Sequence, residues 1–301
     1  MPQKSKKFPL LDTFIWYLNE RWSIHQKRLK GLPPPWTDDY ALQTYRFCQV
    51  RREDDRVTRW IHENWLRPHA DDPDLWHAMC VARMFNRIES LEECGWPEPW
   101  GRRGTKFLQT ALDRKRRGDK VFTAAYTLVG GGYVRYGGAQ MTLLEHHRAI
   151  LDKAWVKRKV AAPCASDTLA AAYDKIVMLH GFGGFMAAQV IADVKWGNVL
   201  RSASDFDEFV VMGPGSARGL ARLCGREPST NWRGGEADWY ATLLNARKAT
   251  LPKLPKALRN LDAQNIEHGL CELDKWCRVQ DGGRPKQTYT AIQPKYFKET
   301  E

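Results

Sequence analysis

Ile176-Val-Met-Leu-His-Gly-Phe-Gly-Gly-Phe-Met-Ala-Ala-Gln-Val-Ile-Ala-Asp193 decides the fold. Apolar residues recur at helical spacing on both sides of a glycine segment, Leu179-His-Gly-Phe-Gly183. The pattern predicts a helix, a tight turn and a second helix. Glycines separated by one residue let the backbone turn sharply and approach a neighbour closely. The first amides of the second helix then face outward at the positive end of its dipole. A phosphate can sit there without a side-chain charge. This is the pattern of a helix-hairpin-helix, which holds a nucleic-acid backbone through main-chain N–H groups. An ordinary helical hairpin with a glycine turn has the same local signature, so the rest of the chain must decide.

The chain carries a formal net charge of +12 over 301 residues, with 43% hydrophobic content. That is enough apolar material for one large or two small cores. The charge favours a polyanionic partner, with nucleic acid ahead of a membrane surface. No run of about 18 apolar residues exists, so nothing spans a bilayer as a helix. The basic start, Met-Pro-Gln-Lys-Ser-Lys-Lys, is followed by an apolar stretch that Asp12 and Asn19 interrupt, which is not a secretory signal. The 7 cysteines are scattered and contain no Cys-x-x-Cys pair, which argues against zinc ribbons and iron–sulfur loops. A reduced, cytoplasmic protein without metal or other cofactor is expected.

Along the chain, residues 1–30 predict a basic leader and a first amphipathic helix with Phe14, Ile15, Leu18 and Trp22 on one face. Residues 31–290 are expected to form a single helical domain, with a tail over 291–301. The prolines 33–35 force an extended segment, and Thr37 or Asp38 can cap a helix over about 38–51. Arg51-Arg-Glu-Asp-Asp-Arg-Val-Thr-Arg-Trp60 is either a solvated charged helix face or a site where arginines hold phosphate beside an acid. More helix is expected over 60–95 and 105–118, with Arg83-Met-Phe-Asn-Arg87 interleaving arginines, an aromatic ring and an amide. Residues 121–129 are assigned to helix, 130–138 to a glycine-rich loop, and 139–160 and 166–180 to helices. His146 and His147 lack the carboxylate spacing of a metal site. A short helix starts at Ser204. Gly213-Pro-Gly215 makes a second turn that exposes backbone, with Arg218 on the helix after it. Helices are expected over 236–248 and 256–276. No Gly-x-x-x-x-Gly-Lys-Ser/Thr motif occurs, so ATP binding through a Walker A loop is not expected.

The expected class is therefore mainly α, with a helix-hairpin-helix fold like that of the helical DNA glycosylases. Those enzymes extrude a base and cut its glycosidic bond. Their bifunctional members carry a nucleophilic lysine shortly after the second hairpin glycine; Phe185 stands there in this chain. The aspartate position falls near Ala203, with Asp205 close but not aligned. The architecture fits this class better than the chemistry does.

Several motifs together resemble another family. They are Pro35-Trp-Thr-Asp38, Phe47-Cys-Gln-Val-Arg-Arg-Glu-Asp-Asp-Arg56, Phe85-Asn86, Leu179 to Ala188 with Asp193, Gly213-Pro-Gly-Ser-Ala-Arg-Gly219, Leu270-Cys-Glu-Leu-Asp-Lys-Trp276 and Gly283-Arg-Pro-Lys286. In order and combination they resemble the phage amino acid:DNA transferases, also described as α-glutamyl/putrescinyl-thymine pyrophosphorylases. They are also similar to the helical domain fused to 5-hydroxymethyluracil DNA kinases. Gln49 and Arg51 depart from the family's asparagine and tyrosine.

The resemblance implies a step in thymidine hypermodification, downstream of a DNA kinase. The partners it implies are double-stranded DNA containing 5-phosphomethyluracil and a free amino acid, glycine among them, or a polyamine. The phosphate, or pyrophosphate, on the 5-methylene is replaced by the amine. The base must leave the duplex, arginines must take the leaving charge, and an acid must accept the ammonium proton. The catalytic candidates are Arg52, Asp55, Asp193, His180 and Glu272. The substrate- and phosphate-binding candidates are Arg83, Asn86, Arg87, Arg218, Lys275, Trp36 and Asp38. Gly181, Gly183, Gly184, Gly213 and Gly215 are candidates for the DNA backbone.

Overall fold

The structure is a computed structural model that describes residues 8–97, 100–123, 133–136 and 139–284. The described chain is mainly helical. In order come α1 (Leu11–Leu29), α2 (Tyr40–Thr44), α3 (Arg56–Ile61), α4 (Leu75–Phe85), α5 (Ile88–Cys94) and α6 (Trp100–Arg116). An antiparallel ribbon of β1 (Tyr133–Tyr136) and β2 (Ala139–Thr142) pairs Tyr133 with Thr142. Then come α7 (Leu143–Val156), α8 (Arg158–Ala161), α9 (Leu169–Val177), α10 (Gly184–Val194), α11 (Pro214–Leu223), α12 (Gly235–Thr250) and α13 (Ala263–Gln280). Among the described residues, no helix is long and apolar enough to cross a membrane. No group of three or more His, Cys, Asp or Glu side chains could hold a metal there.

The chain divides into two compact units, one split in sequence (Met1–Asp55 with Val210–Glu301) and one inserted (Arg56–Phe209). α1, the expected first helix, buries Phe14, Tyr17 and Leu18 in the core of the split unit, and Gly269 of α13 lies against Leu18 and Phe14. In the same unit, Gly215 is buried against Cys271 and Gly219 against the Leu270 carbonyl, so α11 and α13 approach almost backbone to backbone. The buried carboxylate of Asp274 on α13 fastens this contact by accepting from Arg218 Nε at 2.8 Å and Arg222 Nε at 3.0 Å. Trp76, Met79, Phe85, Leu91, Trp100 and Phe107 are buried in the inserted unit.

Several expected helices are shorter or absent. The helix over 38–51 stops at Thr44, because the backbone beyond it finds acceptors and donors elsewhere. Arg21 donates to the carbonyls of Phe47 and Cys48, and Cys48 N–H donates to Glu272 Oε2 at 3.1 Å. The cap is Asp39, whose Oδ1 accepts from Leu42 N–H at 2.8 Å; Asp38 is exposed. The helix expected from 139 begins at 143, where Thr142 and Glu145 form a capping box. Residues 204–208 are turn, since Asp205 instead caps α9 by accepting from Leu169 and Ala170 N–H at 2.7 and 3.0 Å. A break after 258 precedes α13, capped by Asp262. The helix expected over 121–129 falls mostly outside the described residues, as do the basic start and the tail over 291–301.

Candidate functional site

The hairpin forms as expected in its outline. α9 ends at Val177, and α10 begins at Gly184 with Gly183 as an N-cap that provides no side-chain bond. Gly181 has φ +85°, and a Cβ there would strike Ile150. This position therefore requires glycine twice over. Gly183 and His180 are exposed. Gly184 lies against the Tyr173 hydroxyl. The second glycine turn behaves differently. Gly213 N–H already donates to Ser216 Oγ at 3.1 Å, and Gly215 is buried. Gly213 and Gly215 therefore serve helix packing, and their amides do not open to an outside phosphate.

Within the inserted unit, three of the candidates, Arg83, Asn86 and Asp193, meet in a closed cluster. Arg83 donates Nε to Asp193 Oδ2 at 2.5 Å and Nη2 to Oδ1 at 2.6 Å. Its Nη2 also reaches Thr58 Oγ1 at 3.0 Å, and its Nη1 reaches Asn86 Oδ1 at 3.2 Å. His62 Nε2 lies 3.3 Å from Asp193 Oδ1. Arg83 and Asp193 are 1% and 0% exposed. A phosphate would have to displace a bidentate carboxylate to reach Arg83, so the pair acts as a clamp between α4 and α10. Asn86 is held in the left-handed region at φ +46°, ending α4. His62 opens a π-helical turn, His62–Leu66, a distortion frequent at functional sites. Neither Thr58 nor His62 stands out in the sequence. Arg87 pairs with Glu89 at 3.3 Å.

In the split unit, α13 brings three motifs to one place. Glu272 accepts from Cys48 N–H and lies 3.3 Å from Lys275 Nζ. Lys275 also donates to the Arg46 carbonyl and sits 4.5 Å above the Phe47 ring. The backbone N–H of Arg52 donates to Asn265 Oδ1 at 2.9 Å, which anchors the turn Arg52–Asp54 on α13, with Asp55 as its C-cap. Glu267, one turn before Cys271, lies against Gly213. Burial raises the Glu267 carboxyl above its usual range, and the Ser216 hydroxyl opposes that shift. Glu267 is a functional candidate that the sequence analysis missed. Its signal is spacing: Glu267, Cys271 and Asp274 form a polar stripe between Ile266, Leu270 and Leu273. Burial, and then the nearby Glu272, pushes the Cys48 thiol up to about 12. Cys48 is therefore a poor thiolate nucleophile near neutrality.

Trp36 is buried and lines a cleft of about 340 Å³ in the same unit. This cleft shares Phe47 with the Lys275 contact. Arg218 belongs to the Asp274 bridge. Arg52, Asp55, Glu272, Lys275 and Trp36 thus lie in the split unit, whereas His180, Asp193, Arg83, Asn86 and Arg87 lie in the inserted one.

Comparison with known proteins gives this geometry a family. Residues 8–283 match the model of the 5-hmdU DNA kinase helical domain. A 5-hmdU DNA kinase of Bacillus phage SP10 is 32% identical over 124 residues, which cover 39% of this chain and 20% of that protein. The chain therefore aligns with about one fifth of that kinase. No solved structure matches. The chain belongs to the family of the 5-hmdU DNA kinase helical domain.

Proposed function

We propose that the chain is a DNA base-hypermodifying transferase, which replaces the phosphate or pyrophosphate of 5-phosphomethyluracil in DNA with an amine. The observation that carries this reading is the cluster on α13. Glu272 pairs with Lys275, and α13 also carries Glu267 and holds the turn at Arg52 through Asn265, in a chain of this family. The family supports a place in phage thymine hypermodification, and the acids and cations on α13 support the transfer reading.

The 5-methylene carbon is allylic to the C5–C6 bond, so electrons from N1 can assist departure of the phosphate. The C–O bond breaks and the phosphate leaves with its electron pair. Arg52 and Lys275 stabilise that charge. The incoming ammonium loses a proton to Glu267 or Glu272, and its nitrogen forms the new C–N bond. Asp55 lies at the end of the Arg52 turn and orients it. A carboxyl held above the ordinary range accepts that proton more readily than a free one. A helix-hairpin-helix fold like that of the glycosylases belongs to this proposal. In it, the exposed turn at 180–183 follows the phosphates of duplex DNA through Gly181, Gly183 and Gly184, and the base is flipped out for reaction. A glycosylase reading is weaker, because Asp205 is engaged in capping α9.

The test is release of inorganic phosphate from duplex DNA carrying 5-phosphomethyluracil. Release that requires added glycine or putrescine supports transfer. Release without any amine would make the protein a phosphatase, and an abasic product would make it a glycosylase.

A further inference from the structure

The cleft beside Trp36 contains a buried arginine that lacks an acidic partner. Its walls include the rings of Trp36, Tyr45 and Phe47, together with Arg21, Arg28, Thr37 and Gln43, and no carboxylate side chain. Arg21 is 6% exposed. Its Nε and Nη2 reach only main-chain carbonyls, at 3.1 to 3.3 Å. Among the described residues, Nη1 has no hydrogen-bond partner and no carboxylate pairs with the guanidinium. A buried cation is costly unless its charge is met. Arg28, also in the lining, places its guanidinium 5.4 Å over the Trp36 ring, and the ammonium of Lys27 donates to the Trp36 carbonyl at 2.7 Å. The lining is thus cationic and aromatic. At about 340 Å³ it is at the small end of the range for ligand pockets.

We propose that this cleft binds a compact oxyanion on a small organic body, with Arg21 as the buried counter-charge and Trp36 as the flat wall. On the transferase reading, on which the choice of ligand rests, there are two sources of that anion. One is the carboxylate of an amino-acid donor, and the other is the phosphate on the modified base. The same charge repels a polyamine. Phe47 and Cys48 join the cleft to Glu272, because Arg21 holds their carbonyls while Cys48 N–H holds the carboxylate. An amino acid seated by its carboxylate therefore sits beside the cluster that would deprotonate its amine. The geometry points to amino acids over polyamines as donors.

Calorimetric titration of the full chain with glycine, with 5-phosphomethyl-2′-deoxyuridine and with putrescine tests this directly, without turnover. Wild type is compared with Arg21→Gln and Arg28→Gln, and circular dichroism reports folding. The expected result is binding of at least one anion, weakened about tenfold or more in a folded variant by loss of a charge-assisted bond, with no putrescine binding. Glycine as the sensitive ligand identifies the donor carboxylate; the nucleoside identifies the phosphate. If Arg21→Gln unfolds, Arg28→Gln decides. Anion binding that neither arginine affects, no anion binding, or putrescine binding of equal strength overturns the proposal. Arginine-sensitive binding without amine-dependent phosphate release would leave the cleft standing and remove the transferase.

Discussion

Asp193→Ala removes the carboxylate that Arg83 grips in the interior of the inserted unit. The pair is fully buried, and Asp193 takes two bonds from Arg83 at 2.5 and 2.6 Å, with His62 3.3 Å away. Deleting one partner leaves an uncompensated guanidinium, which costs about 3–5 kcal/mol. The pair itself is not worth that much, since two apolar residues of similar volume can replace such a pair at little cost. Arg83→Met/Asp193→Leu should therefore recover most of the loss. For a chain of this size, about 3–5 kcal/mol lowers the melting temperature by roughly 6–20 °C. Urea unfolding followed by circular dichroism measures both variants, and the four-corner cycle gives the coupling. A loss below about 1 kcal/mol for Asp193→Ala would refute the clamp. An inactive variant of normal stability would return Asp193 to the reacting groups.

Arg52→Ala and Asp55→Ala should each lower turnover by about a hundredfold or more, while a gel-shift assay shows DNA binding retained. Glu267→Gln should remove an acid limb of the pH–rate profile that lies above the ordinary glutamate range, since burial raises this carboxyl. Burial holds His77 at about 4 and His147 at about 3. Both fall below the unfolded value of 6.5, so the unfolded chain binds more protons and stability is lost as pH falls from 6.5 toward those values. At pH 4.5 the loss is on the order of 2–3 kcal/mol for each histidine. His147→Phe, beside Phe85 and Phe122, should remove its half of the loss in acid-dependent melting. Gly219→Ala should strongly destabilise the α11–α13 contact in thermal melts, because its Cβ would overlap the Leu270 carbonyl.

The sequence carries the helical class and the hairpin turn plainly. Period and glycine placement are local signals, and Gly181 adopts the backbone geometry that only glycine takes easily. The partners of buried charges are not local. Arg83 and Asp193 lie 110 residues apart, so Arg83 reads as an open phosphate ligand until the fold is known. Gly213-Pro-Gly215 has the same composition as a phosphate-binding turn, yet tertiary packing uses it to admit Cys271. The helix expected over 38–51 fails for a related reason. Arg21 and Glu272 satisfy the backbone of 47–48 from distant positions, so the segment stays extended. Asp39 takes the cap from its neighbour, and it also accepts from Trp276 Nε1 at 3.2 Å. Glu267 was legible in principle, because its helical spacing with Cys271 and Asp274 can be read from the sequence.

The most direct test is nucleoside mass spectrometry. Duplex DNA carrying 5-phosphomethyluracil is incubated with the protein and a pool of amino acids and polyamines, then digested to nucleosides. The account predicts a thymidine derivative that has lost phosphate and gained the mass of one amine, with an amino acid as donor. Unchanged nucleosides with DNA bound, or free base with an abasic site, would contradict it.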